Sequence, residues 1–126
     1  VDSNDQVRWQ ALNSIIAKKI VFTNNASSFA QYVLSYIGLS GFFSDIIGMK
    51  EMNFLTKPHV YGYKVIEKKY SKFDRIIFCD DRQENLDIAN SLGWITILFN
   101  PQQKEFEINK NHFVIKSFKE LETLNL

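Results

Sequence analysis

The segment Arg75-Ile-Ile-Phe-Cys-Asp-Asp-Arg-Gln-Glu-Asn-Leu-Asp-Ile-Ala-Asn-Ser-Leu-Gly93 constrains the chain more than any other. Its apolar run, Ile76 to Cys79, is too short for a helix and does not alternate with polar residues. It therefore predicts a strand buried on both faces of a parallel sheet. Asp80 and Asp81 close that strand, and a helix follows with Leu86, Ala89 and Leu92 at helical spacing and Gly93 at its end. In open α/β sheets, ligands bind at the carboxyl ends of strands. Adjacent carboxylates there repel one another, and a hard divalent cation such as Mg²⁺ is their natural counterion. The same residues also suit a solvated turn in which an aspartate caps the helix.

The remaining segments repeat this alternation. Residues 5–17 carry Val7, Leu12, Ile15 and Ile16 at helix-compatible spacing, with Asp5 as a cap and Trp9 available to pack. Lys19-Ile-Val-Phe-Thr-Asn-Asn25 predicts a buried strand delivering Thr23 and Asn24 to its carboxyl end. Ser27 and Ser28 are placed to cap a helix that buries Phe29, Val33, Leu34 and Ile37 and stops at Gly38. Asp45-Ile-Ile-Gly48 is a short strand candidate, and Met49 to Thr56 has no period and reads as loop. Lys57 then projects ahead of Pro58, which suits the start of a helix from His59 to about Tyr70. That helix has Val60, Tyr63, Ile66 and Tyr70 on its apolar face and Lys64, Glu67, Lys68 and Lys69 on its solvated side. Trp94 to Phe99 predicts a further strand, 101–111 a loop, Phe113-Val-Ile a last short strand, and Ser117-Phe-Lys-Glu120 the capping box of a closing helix that buries Phe118, Leu121 and Leu124. Strands alternating with helices imply an α/β fold with a mainly parallel sheet.

A chain of 126 residues, 45% of them hydrophobic, is long enough for one domain with a core. A formal net charge of +1 without a basic cluster gives no reason to expect nucleic acid or an anionic membrane as partner. Cys79 is the single cysteine, so no internal disulfide forms, and it reads as a small core residue in a reducing, cytoplasmic setting. No apolar run approaches a membrane span, and Val-Asp-Ser-Asn-Asp at the start has no signal-peptide character. The absence of an initiator Met suits a fragment or a processed piece.

Three strand-end or loop positions thus offer complementary chemistry: Thr23-Asn24, Lys57, and Asp80-Asp81 with Asn85 one helical turn on. In this order they resemble the later motifs of the haloacid-dehalogenase-like (HAD) phosphohydrolase superfamily. Val21-Phe-Thr-Asn-Asn, Thr56-Lys-Pro-His and Phe78-Cys-Asp-Asp-Arg-Gln-Glu-Asn are most similar to its pyrimidine 5′-nucleotidase-like branch. The resemblance covers about Asp5 to Asn100 and implies a doubly wound, Rossmann-like sheet. It implies that Thr23 and the Asn24 backbone N–H hold a phosphoryl group and that Lys57 neutralises it. Asp81 and Asp80 then anchor Mg²⁺, supported by Asn85. A transferring phosphoryl group spreads negative charge over its oxygens, and a fixed cation, a metal and hydrogen-bond donors stabilise that charge.

One part of the pattern is absent. The nucleophile of such enzymes is the first Asp of an Asp-x-Asp-x-Thr segment upstream of the other motifs, and the chain contains none; Asp2-Ser-Asn-Asp5 follows no strand-like run. No length remains for a helical cap domain either. The resemblance therefore implies a sheet incomplete on its N-terminal side, lacking the strand between those ending at Thr23 and Asp80. Another segment or subunit is expected to supply it. Two functions follow as expectations: the C-terminal core of a Mg²⁺-dependent phosphatase acting on a small phosphorylated molecule through an aspartyl-phosphate, or a HAD-like domain without turnover used for binding or assembly. A receiver-like phosphoacceptor fits less well, because its acids belong near the N-terminus.

Overall fold

Short β-branched and aromatic runs separated by polar turns build two small parallel sheets rather than one. The computed structural model describes residue 10, residues 15–124 and residue 126. It divides into two compact units, Val1–Lys69 and Tyr70–Leu126.

In the first unit, β1 (Ile20–Phe22) pairs in parallel with β2 (Asp45–Ile47), Val21 opposite Ile46. Parallel neighbours need a crossover, supplied by α1 (Ser27–Tyr36) and a 3₁₀ turn at Ser40–Phe42. The expected apolar face of α1 is not buried: no residue of the helix is, and Phe29 is 54% exposed. Phe29, Tyr32, Val33 and Tyr36 are all exposed along the 3–4 spacing of one helical face. Neither Ser27 nor Ser28 caps this helix, because both are already helical and the N-cap position falls to Ala26, which has no acceptor.

The core of this unit forms under α2 (Val60–Lys69), whose Tyr63 and Ile66 are buried with Met52 and Ile47. Phe22 meets Tyr63 edge to face with ring centroids 5.2 Å apart, a preferred aromatic geometry. Gly62 permits this approach. A Cβ there would lie 2.7 Å from Met52 Cγ and 3.0 Å from Phe22 Cε1. Lys69, expected on the solvated side, reaches back to Asp45 Oδ2 at 2.5 Å. The aperiodic segment from Met49 folds as consecutive turns with Asn53 and Phe54 at positive φ, and it delivers the fully buried Met52.

In the second unit the strand order is β3 (Ile77–Asp80), β4 (Ile95–Phe99), β5 (Phe113–Ile115), all parallel. Helix α3 (Gln83–Ser91) packs on β3 and β4 through Leu86 and Ala89, both fully buried. It ends where Gly93 takes φ +86°, the left-handed conformation a glycine adopts without a Cβ penalty. β3 begins one residue later than the sequence suggests and is not buried on both faces: Phe78 is enclosed but Ile77 is 42% exposed. The closing segment is a 3₁₀ helix, Phe118–Thr123, not an α-helix. Ser117 makes no side-chain cap bond, and the Glu120 carboxylate accepts from the Lys116 N–H instead, which completes only half of a capping box, displaced by one residue. Phe118 stacks on Phe99 at 4.5 Å.

The helix expected over 5–17 and the segment Asp2–Asp5 fall largely outside the described residues. Among the described residues no helix is long and apolar enough to cross a membrane.

Candidate active site

The first unit holds Thr23, Asn24 and Lys57. Thr23 directly follows β1, its N–H donating to the Ile47 carbonyl at 2.9 Å and its Oγ1 accepting from the Asn25 N–H at 3.1 Å. A hydroxyl that accepts one such bond still has its proton to donate. The turn sits tightly against the end of β2: a Cβ at Gly48 would stand 2.8 Å from both the Asn25 carbonyl and the Ser27 amide nitrogen. Only glycine fits there without moving backbone.

Lys57 is 9% exposed, low for a lysine, whose charge is seldom buried without partners. Its Nζ donates to the Phe22 carbonyl at 2.7 Å and stands 4.6 Å from the centre of the Phe22 ring, so a carbonyl dipole and a π face both favour the charge. Its backbone is held by the Asn24 side chain, whose Oδ1 accepts from the Lys57 N–H at 2.8 Å and whose Nδ2 donates to the Lys57 carbonyl at 3.1 Å. The structure thus brings Asn24 and Lys57 together across 33 positions of sequence.

The second unit holds the acids Asp80 and Asp81. Asp80 is the last residue of β3 and is half-buried. Its Oδ1 accepts from the Arg82 N–H at 2.9 Å and its Oδ2 from Asn85 Nδ2 at 3.3 Å. Asp80 therefore shapes the turn into α3, which settles one sequence alternative in part: an aspartate does organise this helix start, from two residues before the N-cap Arg82 rather than as the N-cap itself. Asp81 is exposed at the strand end and Asn85 is buried in the first turn of α3. Burial, with Asp80 and Asp81 adding repulsion, pushes the Cys79 thiol up to about 12. The thiol stays neutral beside the acids and is no nucleophile. Glu84, in the same turn, is held below the usual carboxylate range by its own backbone N–H and by Arg82.

The donor chemistry here is carboxylate and amide oxygen, which suits Mg²⁺, an ion often bound by one or two carboxylates while keeping several waters. Among the described residues no group of three or more His, Cys, Asp or Glu is placed to hold a metal, so a fully protein-liganded cage is not what these residues form.

A third cluster had no counterpart in the sequence reading. His112, with a fully enclosed side chain, places Nδ1 2.6 Å from Thr96 Oγ1 on β4 and Nε2 2.7 Å from Asp87 Oδ1 on α3. An ionised carboxylate only accepts, so Nε2 carries a proton and donates to Asp87, while Nδ1 and the Thr96 hydroxyl share the second hydrogen bond. Thr96 is 1% exposed, so the chain of three groups ties β4, the loop before β5 and α3 together and cannot present its hydroxyl to a substrate.

No protein-family model matches the sequence, and no curated protein does. Solved structures do match. The L-2-haloacid dehalogenase of Xanthobacter autotrophicus, with chloropropionic acid covalently bound, aligns over 89% of this chain at a TM-score of 0.75 and 16% identity. YfnB of Bacillus subtilis, a HAD-hydrolase bound to magnesium, aligns over 100% of this chain at a TM-score of 0.76 and 22% identity. The fold is HAD-like. The chain spans 56% of the length of each of these two structures.

Proposed function

We propose that the chain is the core of a Mg²⁺-dependent HAD-type phosphohydrolase acting on small phosphate monoesters such as nucleoside monophosphates. The observation that carries the reading is Lys57: a buried ammonium anchored at the end of β1, next in space to the segment that bears Thr23. Lys57 neutralises the phosphoryl oxygens, and the Thr23 hydroxyl and Asn24 N–H donate to them. Asp81, with Asp80 and Asn85, would hold Mg²⁺, which when bound supplies charge neutralisation. The magnesium-bound HAD-like neighbour supports that choice of ion. The nucleophilic aspartate of an aspartyl-phosphate mechanism lies on a strand outside these 126 residues, supplied by another segment or subunit. The strand orders support this, since β1 and β3 each stand at the end of their sheet, the position at which a sheet accepts another strand.

A second reading is favoured by one specific observation, the lack of any Asp-x-Asp-x-Thr segment in the chain: a HAD-like domain that binds without turnover. Both readings give no hydrolysis of p-nitrophenyl phosphate by this chain alone, and they part on the metal. Under the enzyme reading, Mg²⁺ raises the melting temperature and Asp81→Asn abolishes the rise. An equal response in wild type and mutant removes the acids from the site and leaves the binding domain as the better account.

A further inference from the structure

Resting on that assignment of Lys57, we infer that the Asn24 side chain is its positioning residue and that residues 22–24 act as a clamp gripping the lysine at both ends. The lysine lies in a stretch without regular secondary structure and is followed by Pro58, which has no N–H to offer a neighbour. Its main chain is set from outside. Asn24 supplies an acceptor to the Lys57 N–H at 2.8 Å and a donor to the Lys57 carbonyl at 3.1 Å, the exchange that a neighbouring strand makes with a paired residue. A carboxamide is suited to this, because it carries an acceptor and a donor side by side. Aspartate keeps only the acceptor.

The other end of the lysine is held two residues earlier. The Phe22 carbonyl accepts from Nζ at 2.7 Å, and the Phe22 ring lies 4.6 Å below it. Residue 22 thus holds the ammonium and residue 24 holds the peptide. Thr23, the residue between the two grips, bears the hydroxyl proposed to meet the phosphoryl group. The segment that presents the hydrogen-bond donor therefore also fixes the position of the cation, and neither can drift without the other. Asn24 acts through Lys57 and is not itself a catalytic residue by virtue of this side chain.

The test separates the clamp from the phosphate assignment. An ammonium held over an aromatic ring gives the Lys57 ε-methylene protons an upfield ring-current shift by NMR, and Asn24→Ala removes it while the melting temperature stays within a few degrees. In the same variant the affinity for inorganic phosphate, measured calorimetrically with Mg²⁺ present, falls about tenfold. Asn24→Asp, which keeps the acceptor, retains part of the shift and serves where the alanine variant does not fold. An unchanged ring-current shift in both variants overturns the clamp. A lost shift with unchanged phosphate affinity overturns the positioning role. A lost shift in a protein whose wild type binds no phosphate upholds the clamp and overturns the phosphate site.

Discussion

Replacing His112 with alanine tests how the second unit is held together. The imidazole is fully enclosed and bonds at both nitrogens, to Thr96 at 2.6 Å and Asp87 at 2.7 Å. Its loss leaves the Thr96 hydroxyl, 1% exposed, without this partner, at about 1–3 kcal/mol. The vacated ring volume adds a cavity term of about 2 kcal/mol. Asp87 contributes little, because its side chain is 49% exposed and water replaces the lost bond. The expected destabilisation is about 3–5 kcal/mol, a large part of the ~5–15 kcal/mol typical of a domain. Thr96→Val removes the orphaned hydroxyl, so in the double variant the two effects sum to about 1–2 kcal/mol less than the separate losses. Urea unfolding, followed by the fluorescence of the buried Trp94, measures all four corners of the cycle. Additivity within about 0.5 kcal/mol, or a loss below about 1 kcal/mol for His112→Ala, refutes the account of a continuous buried bridge.

Gly62→Ala gains about 1 kcal/mol of helix propensity but forces Met52 and Phe22 aside. A net loss of about 1–2 kcal/mol follows, read in thermal melts. Iodoacetamide labels Cys79 slowly at pH 8 in the folded chain and at an ordinary rate in urea, read by mass spectrometry. Because the folded thiol titrates near 12 and the ordinary value is 9.0, the unfolded state loses its proton first. Relative to Cys79→Ala, stability is therefore unaffected below pH 9 and falls by about 1.4 kcal/mol per pH unit above it. Tyr32→Lys with Tyr36→Lys leaves the melting temperature within about 2 °C, since both rings are exposed, and raises solubility in ammonium sulfate precipitation.

Much of this architecture was legible because local signals agreed. The apolar runs ending in Phe22, Cys79 and Phe99, the glycines at 38 and 93 and the Lys57-Pro58 boundary each have a local physical cause, and the elements fall within a residue or two of where those causes put them. The face of α1 misled, since Phe29 and Val33 have helical spacing but periodicity does not say whether anything lies opposite. His112 was invisible because its partners are 16 and 25 residues away and no short motif joins them. The Asn24 side chain was missed for a similar reason: the sequence offers Asn24 as a backbone donor beside Thr23, and only the fold shows its amide turned to a peptide 33 residues on. Met52 was read as loop, although its chain was the one needed to fill the space that Gly62 leaves.

Phe22 accepts the lysine ammonium on its carbonyl, lies under it with its ring, and meets Tyr63 edge to face in the core. Selection for a folded unit and selection for a fixed cation therefore act on the same atoms. A change at position 22, or at Gly62 beside it, has no route to greater stability that leaves the charge where it was. In a mutational library, variants at these positions should change stability and the placement of the Lys57 ammonium together, whereas variants on the exposed face of α1 should leave both as they are.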